Sequence, residues 1–329
     1  MDDVAIPMLS AAYEIATPPE SRLAKTLIQE TINLFKSGFI GIIGRPNVGK
    51  STFLNAVVGD KISIVADKPQ TTRDKITGIK NFPDAQMIFL DTPGIHNPKT
   101  PLNRAMVQTA KKAIGDAEVL LMLIEANADV HHHDLFLIES LAHVKVPVFL
   151  VINKIDLIDK QLLLPLIDKF RKLYDYREIF PISALKGEGI AEMLDAIKQI
   201  LPEGPQLFPE DILTDATERF IAAEFIREQI MLLTNQEIPY VSAVTVDLFK
   251  EDEAKNIIRI SATINVEKES QKAIMIGKKG SMLKNIGTQS RLQMEKLFGT
   301  RVFLELFVRV SKDWTSSDKM LREFGLLKH

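Results

Sequence analysis

The chain has 329 residues, of which 46% are hydrophobic and 26% are charged, so it is long enough for two packed domains. Its net charge of −2 gives the whole molecule no bulk attraction to polyanions, and any nucleic-acid binding must therefore come from a local basic patch. The absence of cysteine excludes disulfides and thiolate metal sites, and it fits a reducing compartment.

The first segment, residues 1–37, is predicted to be an N-terminal extension. Its prolines indicate a loose first half, whereas apolar residues recur at near-helical spacing between Ser21 and Lys36. We expect a helix docked on the neighbouring domain, with a membrane-surface or partner-binding helix as the alternative. The segment lacks the features of a secretory signal, and no apolar run approaches the ~18–20 residues that span a bilayer, so we expect a cytoplasmic protein.

Residues 38–204 show alternating strand and helix patterns. Apolar, β-rich runs occur at 39–43, 76–82, 87–90, 119–124, 146–152 and 179–182, and helical patterns occur at 51–58, 103–114, 135–143, 162–174 and 190–201. Such alternation predicts an α/β domain with a mostly parallel sheet. The second and third runs are so close together that they permit a hairpin, and one antiparallel edge strand is therefore expected.

A cluster of proline and glycine then interrupts the pattern, and we predict a linker over residues 205–213. Residues 214–329 show a different order: a helix over 217–233, strands over 241–249 and 257–266, two helices ending at Ile276 and Phe298, and a strand over 302–310. This α-β-β-α-α-β order predicts a separate α+β domain.

One segment between the first strand and the first helix matches the phosphate-binding loop pattern: Gly44, Arg45, Pro46, Asn47, Val48, Gly49, Lys50 and Ser51. The glycines let the backbone turn tightly, so that N–H groups at a helix N-terminus point at phosphates. Lys50 would place a cation on the β- and γ-phosphates, and the Ser51 hydroxyl would ligate Mg²⁺. We include the next residue, Thr52, in the phosphate-binding set.

Two further motifs come directly after predicted strands. Asp91, Thr92, Pro93 and Gly94 come after the third strand, where Asp91 can hold Mg²⁺ through water and the Gly94 N–H can contact a γ-phosphate. After the fifth strand come Asn153, Lys154, Ile155 and Asp156. The Asp156 carboxylate can accept two hydrogen bonds from the guanine edge, and adenine offers no matching donor pair. Ser183 and Ala184 come after the sixth strand, and the Ala184 N–H is suited to guanine O6.

In this order the motifs resemble the guanine-nucleotide domain of the translation-factor-related GTPase class. The phosphate loop and the run Lys68, Pro69, Gln70, Thr71, Thr72, Arg73 and Asp74 are similar to those of the Era family. The resemblance implies that GTP and GDP are the ligands, with Mg²⁺ held by Ser51, Thr72 and, through water, Asp91. It assigns the switch I threonine to Thr72, with Thr71 as the alternative, and switch II to Asp91, Thr92, Pro93, Gly94 and Ile95.

The chemistry of hydrolysis depends on the residue after Gly94. Many GTPases orient the attacking water with a glutamine at this point, but here the residue is Ile95, so we expect slow hydrolysis or help from another group. Related families with such a substitution often use K⁺, held partly by the residue that corresponds to Asn47. The alternative is that Asn47 only shapes the loop. We interpret His96 as a switch residue rather than a general base, and His131, His132 and His133 as a surface loop rather than a metal site.

The C-terminal domain contains Ile276, Gly277, Lys278, Lys279, Gly280 and Ser281 between two predicted helices. A Gly-x-x-Gly turn lets a nucleic-acid strand approach the backbone, and the two lysines and nearby Lys284 can neutralise phosphates. The pattern resembles a type II K homology (KH) domain, which recognises unpaired nucleotides. Ile276 and Ile286 would line an apolar groove or belong to the core, and Trp314 would stack on a base or pack internally.

A guanine-nucleotide domain with a KH domain after it is the layout of the Era family. The resemblance implies binding near the 3′ end of small-subunit ribosomal RNA, a role in maturing the small ribosomal subunit, and, in some members, peripheral contact with the inner face of the cell membrane. We expect a monomer. Two other interpretations are an RNA-binding protein with a degenerate nucleotide site, and a signalling GTPase that acts on a protein or a membrane.

Overall fold

The computed structural model describes residues 35–68, 71–93, 115–126 and 129–327. Most of the predicted N-terminal extension, the predicted helix over 103–114, and Gly94, Ile95 and His96 lie outside these residues. The extension was predicted to be helical as far as Lys36, but Lys36 already belongs to the first strand. None of the helices in the described ranges is both long and apolar enough to cross a membrane.

Six strands form the first sheet: β1 (Lys36–Ile43), β2 (Ile76–Phe82), β3 (Ala85–Asp91), β4 (Val119–Glu125), β5 (Val148–Asn153) and β6 (Glu178–Pro181). Their order is β2-β3-β1-β4-β5-β6. β2 runs antiparallel to β3, and the other neighbouring pairs are parallel. The predicted fold class and the predicted antiparallel edge strand are therefore confirmed.

Helices cover both faces of this sheet: α1 (Lys50–Val58), α2 (His132–Ser140), α3 (Leu163–Arg171) and α4 (Ile190–Ile200). Phe53 of α1 and Ile197 of α4 belong to one apolar cluster, while Leu137 of α2 and Phe170 of α3 belong to a second cluster on the other face. Because both faces are covered, the central strands are continuously apolar rather than alternating. That pattern is why the sequence predicted a parallel sheet.

The C-terminal unit contains α5 (Glu218–Leu233), β7 (Ala243–Asp252), β8 (Ile257–Val266), α6 (Glu269–Ile276), α7 (Ser281–Phe298), β9 (Arg301–Val310) and α8 (Asp318–Glu323). β8 is the central strand, antiparallel to β7 and parallel to β9. The predicted order is confirmed, with α8 as an addition. Trp314 is fully buried and its indole N–H donates to the Val241 carbonyl at 2.8 Å, so it packs internally and does not stack on a base.

The predicted linker, residues 205–213, lies along the β2–β3 hairpin. The side-chain oxygen of buried Gln86 accepts hydrogen bonds from the Leu207 and Phe208 amides at 2.8 and 2.9 Å. The Leu213 carbonyl accepts from the Ile79 amide at 2.8 Å. The linker is therefore bonded to the first sheet over most of its length.

Gly78 of β2 lies directly beneath α1, the helix that begins at Lys50. A Cβ at this position would meet the methyl groups of Leu54, Val58 and Ile62 at 2.5, 2.9 and 3.1 Å. All three side chains are buried, so they have little freedom to move away. The close approach of α1 to the sheet therefore depends on glycine here.

We expect Gly78→Val to lower the free energy of unfolding by about 1–3 kcal/mol, the usual cost of overpacking a core. Urea titration followed by circular dichroism measures the change. Gly115→Ala is the control, because a Cβ at Gly115 would meet no heavy atom of the described residues within 4 Å. Equal urea midpoints for Gly78→Val and the unaltered protein would show that α1 tolerates a wider separation from β2.

Candidate functional site

The loop between β1 and α1 is held in a tight turn at the carboxyl edge of the sheet. Asn47 and Gly49 have positive φ angles of 67° and 98°, and a Cβ on Gly49 would collide with the amide of Asn153. The Lys50 ammonium folds over the loop and donates to the carbonyls of Gly44 and Arg45, each at 3.0 Å. Burial lowers the pKa of Lys50 to about 8, while Asp91 opposes this effect. An anion in the loop would stabilise the charged form of Lys50.

Three oxygen-bearing side chains meet beside this loop. The Ser51 hydroxyl donates to Asp91 Oδ2 at 2.8 Å and lies 3.0 Å from the Thr72 hydroxyl. Asp91 is fully buried, and burial raises the pKa of its carboxyl group. Its other oxygen, Oδ1, has no hydrogen-bond partner among the described residues. Because Mg²⁺ prefers oxygen ligands and commonly keeps bound waters, these residues fit a magnesium ion with Asp91 facing one of its waters.

Thr71 and Thr92, the chain neighbours of Thr72 and Asp91, bond to main-chain carbonyls instead of joining this group. The Thr71 hydroxyl donates to the Lys68 carbonyl at 2.6 Å, so Thr72 is the threonine that faces Ser51. The Thr92 hydroxyl donates to the Ile42 carbonyl at 2.8 Å and ties the end of β3 to β1. The predicted contacts of Gly94 and Ile95 lie outside the described residues.

Arg45 was predicted in the phosphate-binding set, and its side chain takes part in ion pairs behind the loop. Its guanidinium lies 3.2 Å from Glu125 and 3.4 Å from Asp134. Lys154 pairs with the same Glu125 at 3.1 Å. These pairs connect the phosphate loop to the base-binding loop through the end of β4. Sequence reasoning missed Glu125, although a lone acid at the end of an apolar strand is a usable signal.

The predicted base-binding residues lie together at the ends of β5 and β6. The amide of buried Asn153 donates to the Val48 carbonyl at 2.8 Å, and its oxygen accepts from the Ala184 N–H at 2.9 Å. Asn153 thus bridges the phosphate loop and the loop after β6, and the N–H that we predicted for guanine O6 is bonded to Asn153. The Ser183 hydroxyl donates to Asp156 at 2.6 Å and lowers the pKa of that carboxyl group. A charged, half-exposed Asp156 can accept hydrogen bonds from a base.

The three consecutive histidines lie at the start of α2. Their ring centroids lie 4.0–5.1 Å apart at interplanar angles of 25–38°, and His131 Nδ1 accepts from the His133 amide at 3.2 Å. A metal ion must lie near the plane of every imidazole that binds it. The ring nitrogens lie within 4.8 Å of one another, but His131 Nδ1 is already occupied as the acceptor that caps the helix.

The Gly-x-x-Gly turn joins α6 to α7. Gly277, Lys279 and Gly280 have positive φ angles of 73°, 53° and 77°, and a Cβ on Gly277 would lie 2.7 Å from Met282 Cβ. The turn therefore requires glycine at its first position and exposes Lys278 and Lys279 at its tip.

A groove runs from this turn between α7 and β9. It is lined by Gly280, Leu283, Lys284, Gly287, Thr288, Arg291, Leu304 and Leu306. Lys284 lines the groove, whereas Ile286 is fully buried in the core and Ile276 is half-buried outside the lining. Leucines supply the apolar floor of the groove instead. The sequence pattern alone did not distinguish these leucines from core residues.

Known protein families match both the nucleotide-binding domain and the C-terminal domain. The family described as "50S ribosome-binding GTPase" matches residues 39–154, and the KH domain family matches residues 237–315. GTPase Era of Syntrophus aciditrophicus is 63% identical over 292 residues, which are 89% of this chain and 95% of the relative. GTPase Era of Geotalea uraniireducens is 55% identical over 88% of this chain and 98% of its own length.

Two solved structures are similar over 89% of this chain and their entire length, at 43% identity. One is a variant of Aquifex aeolicus Era bound to GDP·AlF₄⁻, with a TM-score of 0.87. The other is Era in complex with MgGDPNP and nucleotides 1506–1542 of 16S ribosomal RNA, with a TM-score of 0.86. The similarity covers the nucleotide-site motifs and the KH domain in a single alignment. The chain therefore belongs to the Era family of GTPases.

Proposed function

We propose that this chain binds GTP, hydrolyses it to GDP and phosphate, and binds the 3′ region of small-subunit ribosomal RNA through its KH domain during maturation of the small subunit. One observation carries the proposal: Lys50, Ser51, Thr72 and Asp91 converge at the start of α1, in the same chain as a Gly-x-x-Gly turn beside a basic groove. A similar protein has been solved with MgGDPNP and 16S ribosomal RNA together. Phosphate release from GTP by the purified chain tests the first part directly.

Each residue at the phosphate end has a distinct proposed role. Lys50 neutralises the β- and γ-phosphates, and backbone amides of residues 44–52 surround them. Ser51 and Thr72 hold Mg²⁺ directly and Asp91 holds it through water; when bound, the ion neutralises charge that develops during hydrolysis. Gly94 would contact the γ-phosphate through its N–H. These groups position and neutralise, which is most of what phosphoryl transfer requires.

The intact nucleotide site disfavours an RNA-binding protein with a degenerate GTPase domain. A signalling GTPase at a protein or membrane surface remains the second candidate, because the amphipathic N-terminal pattern would suit such a role. We place the protein in the cytoplasm as a monomer, with any membrane contact peripheral. In-cell crosslinking and sequencing of the bound RNA separate the candidates, since a signalling role predicts no crosslink at residues 277–280.

We expect Asp156→Asn to weaken selection of guanine. The asparagine amide offers one acceptor and one donor where the carboxylate offers two acceptors, so the guanine N1–H and amino group are no longer both paired. A site that loses such a pairing loses discrimination by orders of magnitude. Competition binding with GTP, ATP and xanthosine triphosphate measures the change, and xanthosine triphosphate should gain because its C2 oxygen can accept from the new amide. An unchanged GTP-over-ATP ratio would contradict the assignment of Asp156.

We also propose that K⁺ assists hydrolysis, which is expected to be slow because Ile95 cannot orient water. Asn47 adopts a left-handed conformation at the top of the loop, and its amide donates to the Asp67 carbonyl at 3.2 Å. Asn47 thus links the phosphate loop to switch I, and we propose that a monovalent ion binds beside it. The ligands offered there are the amide oxygen of Asn47 and main-chain carbonyl oxygens, which are the kind of oxygen that binds K⁺.

Turnover of GTP should be faster in K⁺ than in Na⁺ at equal ionic strength, because the larger ion fits a site made of carbonyl-type oxygens. Asn47→Ala should abolish the difference between the two salts. Phosphate-release assays in the two salts provide the measurement. Identical rates in both salts for the unaltered protein would rule out the potassium site.

Lys278→Glu combined with Lys279→Glu should weaken binding of single-stranded RNA and flatten its salt dependence. Each lost phosphate contact reduces the slope of log affinity against log salt by about 0.7 for single strands. Fluorescence anisotropy with a labelled 3′-terminal small-subunit RNA oligonucleotide measures both effects. Lys250→Glu, an exposed lysine of β7, is the matched control with the same charge change per site. Equal losses in both proteins would indicate a nonspecific charge effect.

A further inference from the structure

Switch I is in extensive contact with the C-terminal domain. We call residues 61–68 and 71–74 the switch segment. Ile64 of this segment is fully buried and belongs to the same apolar cluster as Phe225 of α5. Lys61 pairs with Glu228 of α5 at 2.5 Å, and the Val65 amide donates to the same carboxylate at 2.7 Å. The segment that carries Thr72 therefore packs on α5 as well as on the nucleotide-binding domain.

Contacts with the C-terminal domain continue on both sides of Thr72. Arg227 of α5 donates to the carbonyl of Thr71. The Arg73 guanidinium donates to the carbonyls of Ser242 at 2.7 Å, Tyr240 at 2.9 Å and Pro239 at 3.1 Å. Lys68 donates to two carbonyls at the end of α5, those of Met231 and Thr234. The KH domain thus holds the backbone immediately before Thr72 and the side chain immediately after it.

These contacts remove two guanidinium groups from water. Arg73 is 4% exposed and Arg227 is 3% exposed. Burial, together with the charge of Arg227, lowers the pKa of Arg73 to about 9. Burying such charges is unfavourable unless they are hydrogen-bonded or paired, and here carbonyls and Glu224 supply the partners. Separating the switch segment from the C-terminal domain would break the three Arg73 bonds and the Arg227–Thr71 bond together.

The anchored residue is the one that closes the proposed magnesium site. Thr72 lies 3.0 Å from Ser51, and its two chain neighbours are fixed from the opposite domain. We propose that Arg227, a residue of the C-terminal domain, is a positioning residue for GTP hydrolysis: it holds the Thr71 carbonyl so that Thr72 faces Ser51 and Asp91. This inference rests on the proposed function, because it concerns the same nucleotide site.

A purely structural interface would give a different pattern of effects. Thr72 can act only when a γ-phosphate and Mg²⁺ are present, whereas the phosphate loop and Asp156 bind GDP without it. Loss of positioning should therefore weaken GTP binding and hydrolysis but spare GDP. Loss of a structural contact should instead lower thermal stability and weaken both nucleotides equally.

The test uses the full chain with Arg227→Met and Glu224→Gln combined, so that no buried carboxylate is left without its partner. Single-turnover hydrolysis at saturating GTP should fall at least about tenfold, since small misplacements of a catalytic constellation cost up to ~100-fold. Affinity for a non-hydrolysable GTP analogue should fall, and affinity for GDP should stay within about twofold. Arg227→Lys, which keeps a donor and a charge, should recover part of the rate.

Lys68→Met provides a second variant, because it releases another bond of the switch segment to α5 without creating a buried charge. It should show the same selective loss of GTP hydrolysis. Arg259→Met is the matched control, since Arg259 is an exposed guanidinium of β8 that does not touch the switch segment, and its rate should be unchanged. Hydrolysis at the unaltered rate in both variants, or equal weakening of GTP and GDP, would overturn the inference. Absence of hydrolysis by the unaltered chain would instead refute the proposed function.

Discussion

The hydroxyl of Ser51, 2.8 Å from the buried carboxylate of Asp91, joins the start of α1 to the end of β3. These two elements are neighbours because β1 and β3 are parallel and end at the same edge of the sheet. A carboxylate without access to water is unfavourable unless a cation or several donors face it, and Ser51, Ser63 and Lys50 supply only part of that requirement. The rest of the site can be understood as an arrangement that brings a cation and a triphosphate to this point.

The connection between the two domains has the same physical basis. Thr72 approaches Ser51 from a segment that is bonded both to its own domain, through Asn55 and Asp91, and to α5. Arg73 follows Thr72 in the chain, and its buried guanidinium extends into the C-terminal domain. There it lies over the Trp314 ring, 5.8 Å from the ring centroid. The nucleotide site and the KH domain thus share one stretch of backbone, so a change at either end has a short physical route to the other.

Much of this could be predicted from local sequence. The loop at 44–51, the strand ends at Asp91 and Asn153, and the Gly-x-x-Gly turn all depend on residues close together in the chain, where spacing and glycine placement are informative. The partners of Arg73, Glu228 and Gln86 could not be predicted, since each lies more than 100 residues away and no periodicity encodes such pairs. The sequence could not decide whether Ile286 lines the groove or belongs to the core, where the structure places it. Apolar residues in the two positions of one helix are chemically alike.

The bonding of the linker limits how the two domains can rearrange. Gln86 accepts from Leu207 and Phe208 and also donates to the Phe208 carbonyl at 2.8 Å, and Leu213 is bonded to β2. The linker is thus hydrogen-bonded to β2 and β3 as far as Leu213, four residues before the N-cap of α5 at Thr217. A rotation of the KH domain that keeps these bonds must release the switch segment from the C-terminal domain and pivot within residues 214–217. Such a rotation would carry the groove between α7 and β9 along an arc centred on those residues.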